Sequence, residues 1–107
     1  MTWRVEILDR RVERELEALA QDVRQKFARI VELIERHGLL AMREPYVKHL
    51  EDKLWEMRMK GKDGIARAIY VTAKGERVVV VHAFVKKTQR TPAGALAIAR
   101  ERVKEVT

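Results

Sequence analysis

Leu54-Trp55-Glu56-Met57-Arg58-Met59-Lys60 is followed by Gly61-Lys62-Asp63-Gly64, then by Ile65 to Ala73, Lys74-Gly75, and Glu76 to Lys86. Apolar and polar residues alternate in the first run, and glycine-marked turns bound the second and third, so the stretch reads as three consecutive antiparallel strands. The third carries the unbroken run Val78-Val79-Val80-Val81, which marks a central strand. A four-residue loop at 61–64 would pair Lys60 with Ile65 and set Arg58 opposite Arg67. A two-residue hairpin at Lys74-Gly75 would pair Ala73 with Glu76 and set Arg67 opposite His82. Arg58, Arg67 and His82 then form one row across three strands. The same pairing puts Trp55, Met57, Met59, Ala66, Ala68, Tyr70, Val79, Val81, Ala83 and Val85 on the other face, a core, and leaves Glu56, Lys60, Phe84 and Lys86 beside the row.

Working outward, Thr2 to Leu8 alternates Trp3, Val5 and Ile7 with Arg4 and Glu6, the pattern of a half-buried strand. Asp9 suits an N-cap. Val12, Leu16, Leu19 and Val23, then Phe27, Ile30, Val31 and Ile34, recur at helical spacing up to His37-Gly38, with a break near Gln21-Asp22. Gly38 to Tyr46 reads as loop. After the strands, Thr91 as N-cap and Pro92 at the first helical position open a last helix with Leu96, Ala99, Val103 and Val106 on one face. The predicted fold is α+β, a single domain over residues 1–107 in the order strand, helix, helix, strand, strand, strand, helix, with the helices packed on one twisted sheet.

Composition narrows the chemistry. The 107 residues include no cysteine, serine or asparagine, so disulfides and thiolate or seryl nucleophiles are excluded. His37, His49 and His82 stand too far apart for a dedicated zinc site, and no metal or cofactor is expected. No apolar run reaches the roughly 20 residues of a membrane span, and no signal peptide precedes the first charges, so a cytoplasmic protein is expected. Residues 1–45 carry nine basic and nine acidic side chains, whereas residues 46–107 carry fourteen and seven. A surplus segregated in this way calls for an anionic partner, most often nucleic acid.

Like charges opposed on a sheet repel. Glu56, diagonal to Arg67, could neutralise the row while the arginines splay into solvent. Two arginines, a histidine and two lysines on one face, continuing into Lys86, Lys87 and Arg90, fit a phosphate-binding concavity better, because the arginine fork donates two hydrogen bonds to one phosphate. His37 and His49 read as ordinary polar residues.

The order of elements, with Lys53-Leu54-Trp55-Glu56-Met57-Arg58, Gly64-Ile65-Ala66-Arg67-Ala68-Ile69-Tyr70 and His82-Ala83-Phe84-Val85-Lys86-Lys87-Thr88-Gln89-Arg90-Thr91-Pro92, resembles the RelE/ParE toxin superfamily, in particular the HigB branch and its phage-derived relatives. The resemblance implies the toxin of a toxin-antitoxin pair, which enters the ribosomal A site and cleaves mRNA there. It also implies a cognate antitoxin, often of helix-turn-helix type, that silences it. Arg58 matches a basic strand position, Arg67 the arginine placed against the scissile phosphate, and Lys86 and Lys87 the basic cluster ending the last strand. RelE has a tyrosine in its C-terminal segment, whereas the tyrosines here are Tyr46 and Tyr70; no tyrosine role carries over.

Metal-free RNA cleavage uses the 2′-hydroxyl as nucleophile, so no protein nucleophile is needed. Arg58 and Arg67 would stabilise the phosphorane, His82 or Lys86 would take part in proton transfer, and Glu56 would be either a base or an orienting counter-charge. Lys48, Lys60, Lys62 and Arg90 read as contacts to RNA phosphates and Phe84 as a stacking residue. Two alternatives stay open: a ParE-like gyrase poison, and a non-catalytic antitoxin- or nucleic-acid-binding remnant.

Overall fold

The computed structural model describes residues 2–44, 46–86 and 91–107. The chain runs β1 (Arg4–Ile7), α1 (Arg10–Glu17), α2 (Gln21–His37), a 3-10 turn (Leu39–Ala41), β2 (Val47–Glu51), β3 (Leu54–Gly61), β4 (Gly64–Ala73), β5 (Arg77–Lys86) and α3 (Ala93–Val103). Three helices pack on a five-stranded mixed sheet in the order β1-β5-β4-β3-β2, with β1 parallel to β5 and the other pairs antiparallel. The α+β class and the helical hairpin are as expected. Asp9 caps α1, accepting from the Arg11 amide at 2.9 Å, and the break lies at residues 18–20. Among the described residues no helix is long and apolar enough to cross a membrane.

Four expectations need correction. The segment before Leu54 supplies a further strand, β2, whose exposed Lys48 and His49 and half-buried Leu50 hide any alternation. It is an edge strand, held by pairing with β3.

The second correction concerns register. Arg58 does stand opposite Arg67, but the β4–β5 turn has three residues, Lys74, Gly75 and Glu76, between paired Ala73 and Arg77. Gly75 and Glu76 both have positive φ, +85° and +57°. A bulge between Ile69 and Tyr70 adds a second residue of slip, so His82 pairs with Ile69 and Phe84 pairs with Arg67. Two one-residue slips restore the side-chain alternation, and His82 keeps the face of Arg67 but not its row.

Third, the sheet is buried on both faces. Val78 and Val80 join Met57, Met59, Ala66, Ala68, Tyr70 and Ala83 beneath α1 and α2, whereas Val79 and Val81 join Leu54, Ile69 and Val71 beneath Ala95 and Ala99 of α3. That is why β5 needs a continuous valine run. Val79 and Val81 therefore leave the face expected for them, because the bulge falls between them and Ala83. Trp55 and Val85, expected in the core, are 37% and 54% exposed; they lie near the strand ends, beyond the reach of α1 and α2.

Fourth, α3 starts one residue later than read. Pro92 is its N-cap, and the Thr91 hydroxyl donates to Glu56 Oε2 at 3.1 Å instead of capping the helix.

Candidate functional site

At one end of the α3 face, strands β3 and β4 present Glu56, Arg58 and Arg67, and β5 presents Phe84 and Lys86. Their alternation points these side chains away from the helical hairpin. Glu56 and Arg67 are 0% and 2% exposed and form an ion pair through Glu56 Oε1 and Arg67 Nη1. Thr91, entering α3, completes the cluster: it donates to Glu56 and lies 3.5 Å from Arg67 Nη1. Arg67 Nε is buried and has no hydrogen-bond partner among the described residues.

Burial dominates the titration of the pair. It pushes the Glu56 carboxyl upward against the opposing charges of Arg67, Arg58 and Lys48 and the Thr91 hydrogen bond. It pulls Arg67 downward, helped by Arg58 and opposed by Glu56. Arginine starts so high that it stays cationic at neutral pH. Taking both ions out of water is tolerated because each is the other's partner.

Arg58 is half-buried and Lys60 and Lys48 are exposed; among the described residues none of the three lies in a salt bridge. Lys86 is 9% exposed and pairs in register with Ile65. Lys62 projects from the β3–β4 turn, its amide donating to Asp22 Oδ2 at 2.5 Å. Lys87 and Arg90 lie outside the described residues.

His82 sits in a second cluster. Beyond Val80, β5 has no β1 neighbour, and side chains satisfy its open edge: Glu15 Oε1 accepts from the Ala83 amide at 3.1 Å, and Arg102 Nη1 donates to the Val81 carbonyl at 2.9 Å. Glu15 and Arg102 pair at 2.9 Å, and His82 Nδ1 lies 3.0 Å from Glu15 Oε1. The imidazole stacks on Phe84 at 5.2 Å between ring centroids, so Phe84 is already partnered on one face. A carboxylate at Nδ1 fixes the ring and favours the tautomer whose other nitrogen, Nε2, is basic.

Sequence reasoning placed Arg58, Arg67 and His82 in one row with Phe84 and Lys86 on the same face; the structure keeps Arg58 opposite Arg67, puts Phe84 opposite Arg67 and moves His82 to Ile69. Sequence reasoning missed Thr91 as a partner of Glu56, and Glu15 and Arg102 as partners of His82. Thr91 carried a competing signal, the Thr-Pro helix start. Glu15 and Arg102 lie 67 or more and 20 or more residues from what they contact, and nothing local announces them.

A family model, phage-derived protein Gp49-like, matches residues 14–104. The chain belongs to this family. No curated protein matches the chain. Among solved structures, a chain of the archaeal RelE-RelB complex from Pyrococcus horikoshii OT3 superposes with a TM-score of 0.58 at 24% identity, covering 79% of this chain and 96% of that one. This Gp49-like protein thus shares the RelE fold; the HigB branch expected from the motifs has no separate support. The family match spans both clusters, from Glu15 through Glu56, Arg67 and His82 to Arg102.

Proposed function

We propose that this Gp49-like protein is the toxin of a toxin-antitoxin pair and cleaves mRNA on the ribosome at the Arg58–Arg67 face, without a cofactor. The observation that carries the reading is Arg58 set directly opposite Arg67 on neighbouring strands of a RelE-like sheet, with Lys48, Lys60 and Lys86 around them. Placing cations side by side costs stability, and an anion seated between them reverses the sign of that term. Arg58, half-buried and outside the ion pair, faces the phosphate directly, while buried Arg67 adds its positive charge from behind it.

In the reaction the 2′-oxygen forms a bond to the adjacent phosphorus and the bond from phosphorus to the 5′-oxygen breaks. The 2′-hydroxyl proton passes to a base and the departing oxygen takes one from an acid, leaving a 2′,3′-cyclic phosphate and a 5′-hydroxyl. His82, oriented by Glu15 through Nδ1, and Lys86 are the groups assigned to these transfers. Lys48, Lys60, Lys62 and Arg90 hold the RNA backbone, and Lys87 extends the basic cluster. The similar archaeal RelE chain was solved in complex with RelB, which supports a cognate antitoxin here, proposed to be of helix-turn-helix type.

The test is to incubate the protein with mRNA on programmed ribosomes and characterise the fragments. Cyclic-phosphate and 5′-hydroxyl ends that vanish in Arg58→Ala are expected. Intact mRNA together with loss of DNA supercoiling in a parallel gyrase assay would point to the ParE-like alternative. The burial of Arg67 against Glu56 also favours a second reading, a basic-faced binding protein without catalysis; harmless expression in cells lacking the adjacent gene would select it.

A further inference from the structure

One buried carboxylate, Glu56, stands beside two arginines on the β3–β4 face. Arg58 lies about 7 Å from it along the same strand, and Arg67, opposite Arg58, lies on the diagonal at about 7–8 Å. By register alone the carboxylate could turn to either. In the structure Oε1 pairs with Arg67 Nη1, and Arg58 lies in no salt bridge among the described residues. A carboxylate has two oxygens, so the fate of Oε2 decides whether Arg58 is drawn into the pair as well.

Oε2 is taken by Thr91, whose hydroxyl donates to it at 3.1 Å and lies 3.5 Å from Arg67 Nη1. A hydroxyl has one proton to give and lone pairs to accept with, so Thr91 serves both members of the pair. Its neighbours in the chain aim it. Pro92 holds the Thr91 backbone out of the helical region, and the branch at Cβ restricts χ1. Pro92 is also the N-cap of α3, so the Thr91 hydroxyl is not drawn into capping. The electrostatics follow the same order. Burial pushes the Glu56 carboxyl upward; Arg67 opposes that push first, the Thr91 hydrogen bond second and Arg58 third, through charge alone.

We propose that Thr91 is a positioning residue: by occupying Glu56 Oε2 it keeps Arg58 out of the buried ion pair and open to a phosphate. Without the hydroxyl, Oε2 is an acceptor stranded on a side chain with 0% exposure, and a stranded buried acceptor is costly. Arg58, half-buried on the same strand and on the same face, is the cation that can relieve it. Glu56 then bridges both arginines, and its charge competes with the phosphate for Arg58. Thr91 needs no contact with RNA for this and acts at one remove. The consequence for cleavage rests on the nuclease reading; the placement of Oε2 does not.

The experiment reads the guanidinium N–H resonances of the isotope-labelled full chain by NMR, with Arg58 and Arg67 assigned through their lysine variants. Thr91→Val keeps the branched shape, removes the hydroxyl and leaves Oε1 on Arg67, so it should fold. In it the Arg58 signal should shift and exchange with water more slowly, as Oε2 reaches the guanidinium. Thr91→Ser, which restores the hydroxyl, should stay close to native. On a Glu56→Gln background Thr91→Val should leave the Arg58 signal where Glu56→Gln alone puts it, because no charge remains to redirect; a merely structural role would act in both backgrounds. In parallel, mRNA cleavage on programmed ribosomes should fall at least about tenfold in Thr91→Val, the scale of losing one charge-stabilising donor, and recover in Thr91→Ser. An Arg58 signal unmoved in Thr91→Val, or moved equally on the Glu56→Gln background, overturns the proposal. So does cleavage at the native rate by a Thr91→Val chain whose Arg58 signal has moved. A native chain that leaves mRNA intact would overturn the nuclease reading instead, and the resonances would still decide where Oε2 points.

Discussion

Arg67 joins folding to chemistry in one side chain. Its guanidinium neutralises a carboxylate that is otherwise wholly buried, so truncation does more than remove a charge from the proposed phosphate site. Arg67→Ala should destabilise the protein by about 3–5 kcal/mol, the usual consequence of leaving a buried ion unpaired, measured by urea denaturation; Arg67→Lys, which keeps a cation beside Glu56, should lose much less. Activity at this position is therefore best read from the lysine variant. The pair also shapes the pH response. Burial raises the Glu56 carboxyl, so the folded protein holds this proton more tightly than the unfolded chain. The stabilising contribution of Glu56 is complete at low pH and declines as pH climbs from the ordinary carboxylate range through the raised folded value. Asp22, held low by the Lys62 amide, and Glu51, held low by Arg100, act in the opposite sense, their contribution fading as pH falls. Denaturation curves from about pH 4 to pH 8 should accordingly show Glu56→Gln falling less steeply toward the alkaline end than the native protein, at lower overall stability; an unchanged slope would place the titrating group elsewhere.

Among the elements, the β3–β4 hairpin is anchored on α2 by close contact. A Cβ built at Gly61 would stand 2.5 Å from Val23 Cγ2 and 2.9 Å from Asp22 Oδ2. Gly61→Ala should thus destabilise by about 1–3 kcal/mol through overpacking, and a melt no lower than native would show that the hairpin can move off the helix. The open edge of β5 is satisfied by Glu15 and Arg102, and α3 otherwise buries only the small side chains Ala95 and Ala99 completely enough to join the core. Glu15→Ala strips partners from the Ala83 amide, His82 and Arg102 at once and should cost about 1–3 kcal/mol for the stranded groups, with amide exchange quickening first at Ala83. Alternation along Leu54–Lys60 made β3 and the Arg58–Arg67 pairing legible from the residues, and the period of Val12 to Ile34 did the same for the hairpin helices. The β4–β5 register was not legible, because Lys74-Gly75 looks like a two-residue turn and Glu76 gives no sign that it adopts a positive φ. A bulge likewise has no residue signature. Strand β2 escaped because an edge strand draws its stability from its neighbour rather than from its own pattern.

For the molecule as a whole, two cation-bearing surfaces meet at Arg58. Toward α3 lies the Arg58–Arg67 face with its ring of lysines; toward α2 lies a groove whose lining includes Lys26, Arg29, Arg58 and Lys60. A surface that binds RNA through lysine and arginine should lose affinity steeply with salt, and each phosphate contact removed should reduce that slope by about one. Lys48→Ala and Lys60→Ala are both expected to lower the slope in a ribosome-binding titration while leaving the melting temperature unchanged, since both side chains are exposed. Arg58 offers the cleanest view of the proposed reaction, because it is half-buried, lies outside every salt bridge among the described residues and faces Arg67 in register. The decisive measurement is the rate of mRNA cleavage on programmed ribosomes by Arg58→Ala against the native chain, with both shown folded by thermal melting. A loss of at least about tenfold, the scale expected for removing one donor that stabilises transition-state charge, is the result anticipated here; cleavage at the native rate by the folded variant would contradict a phosphate site on this face.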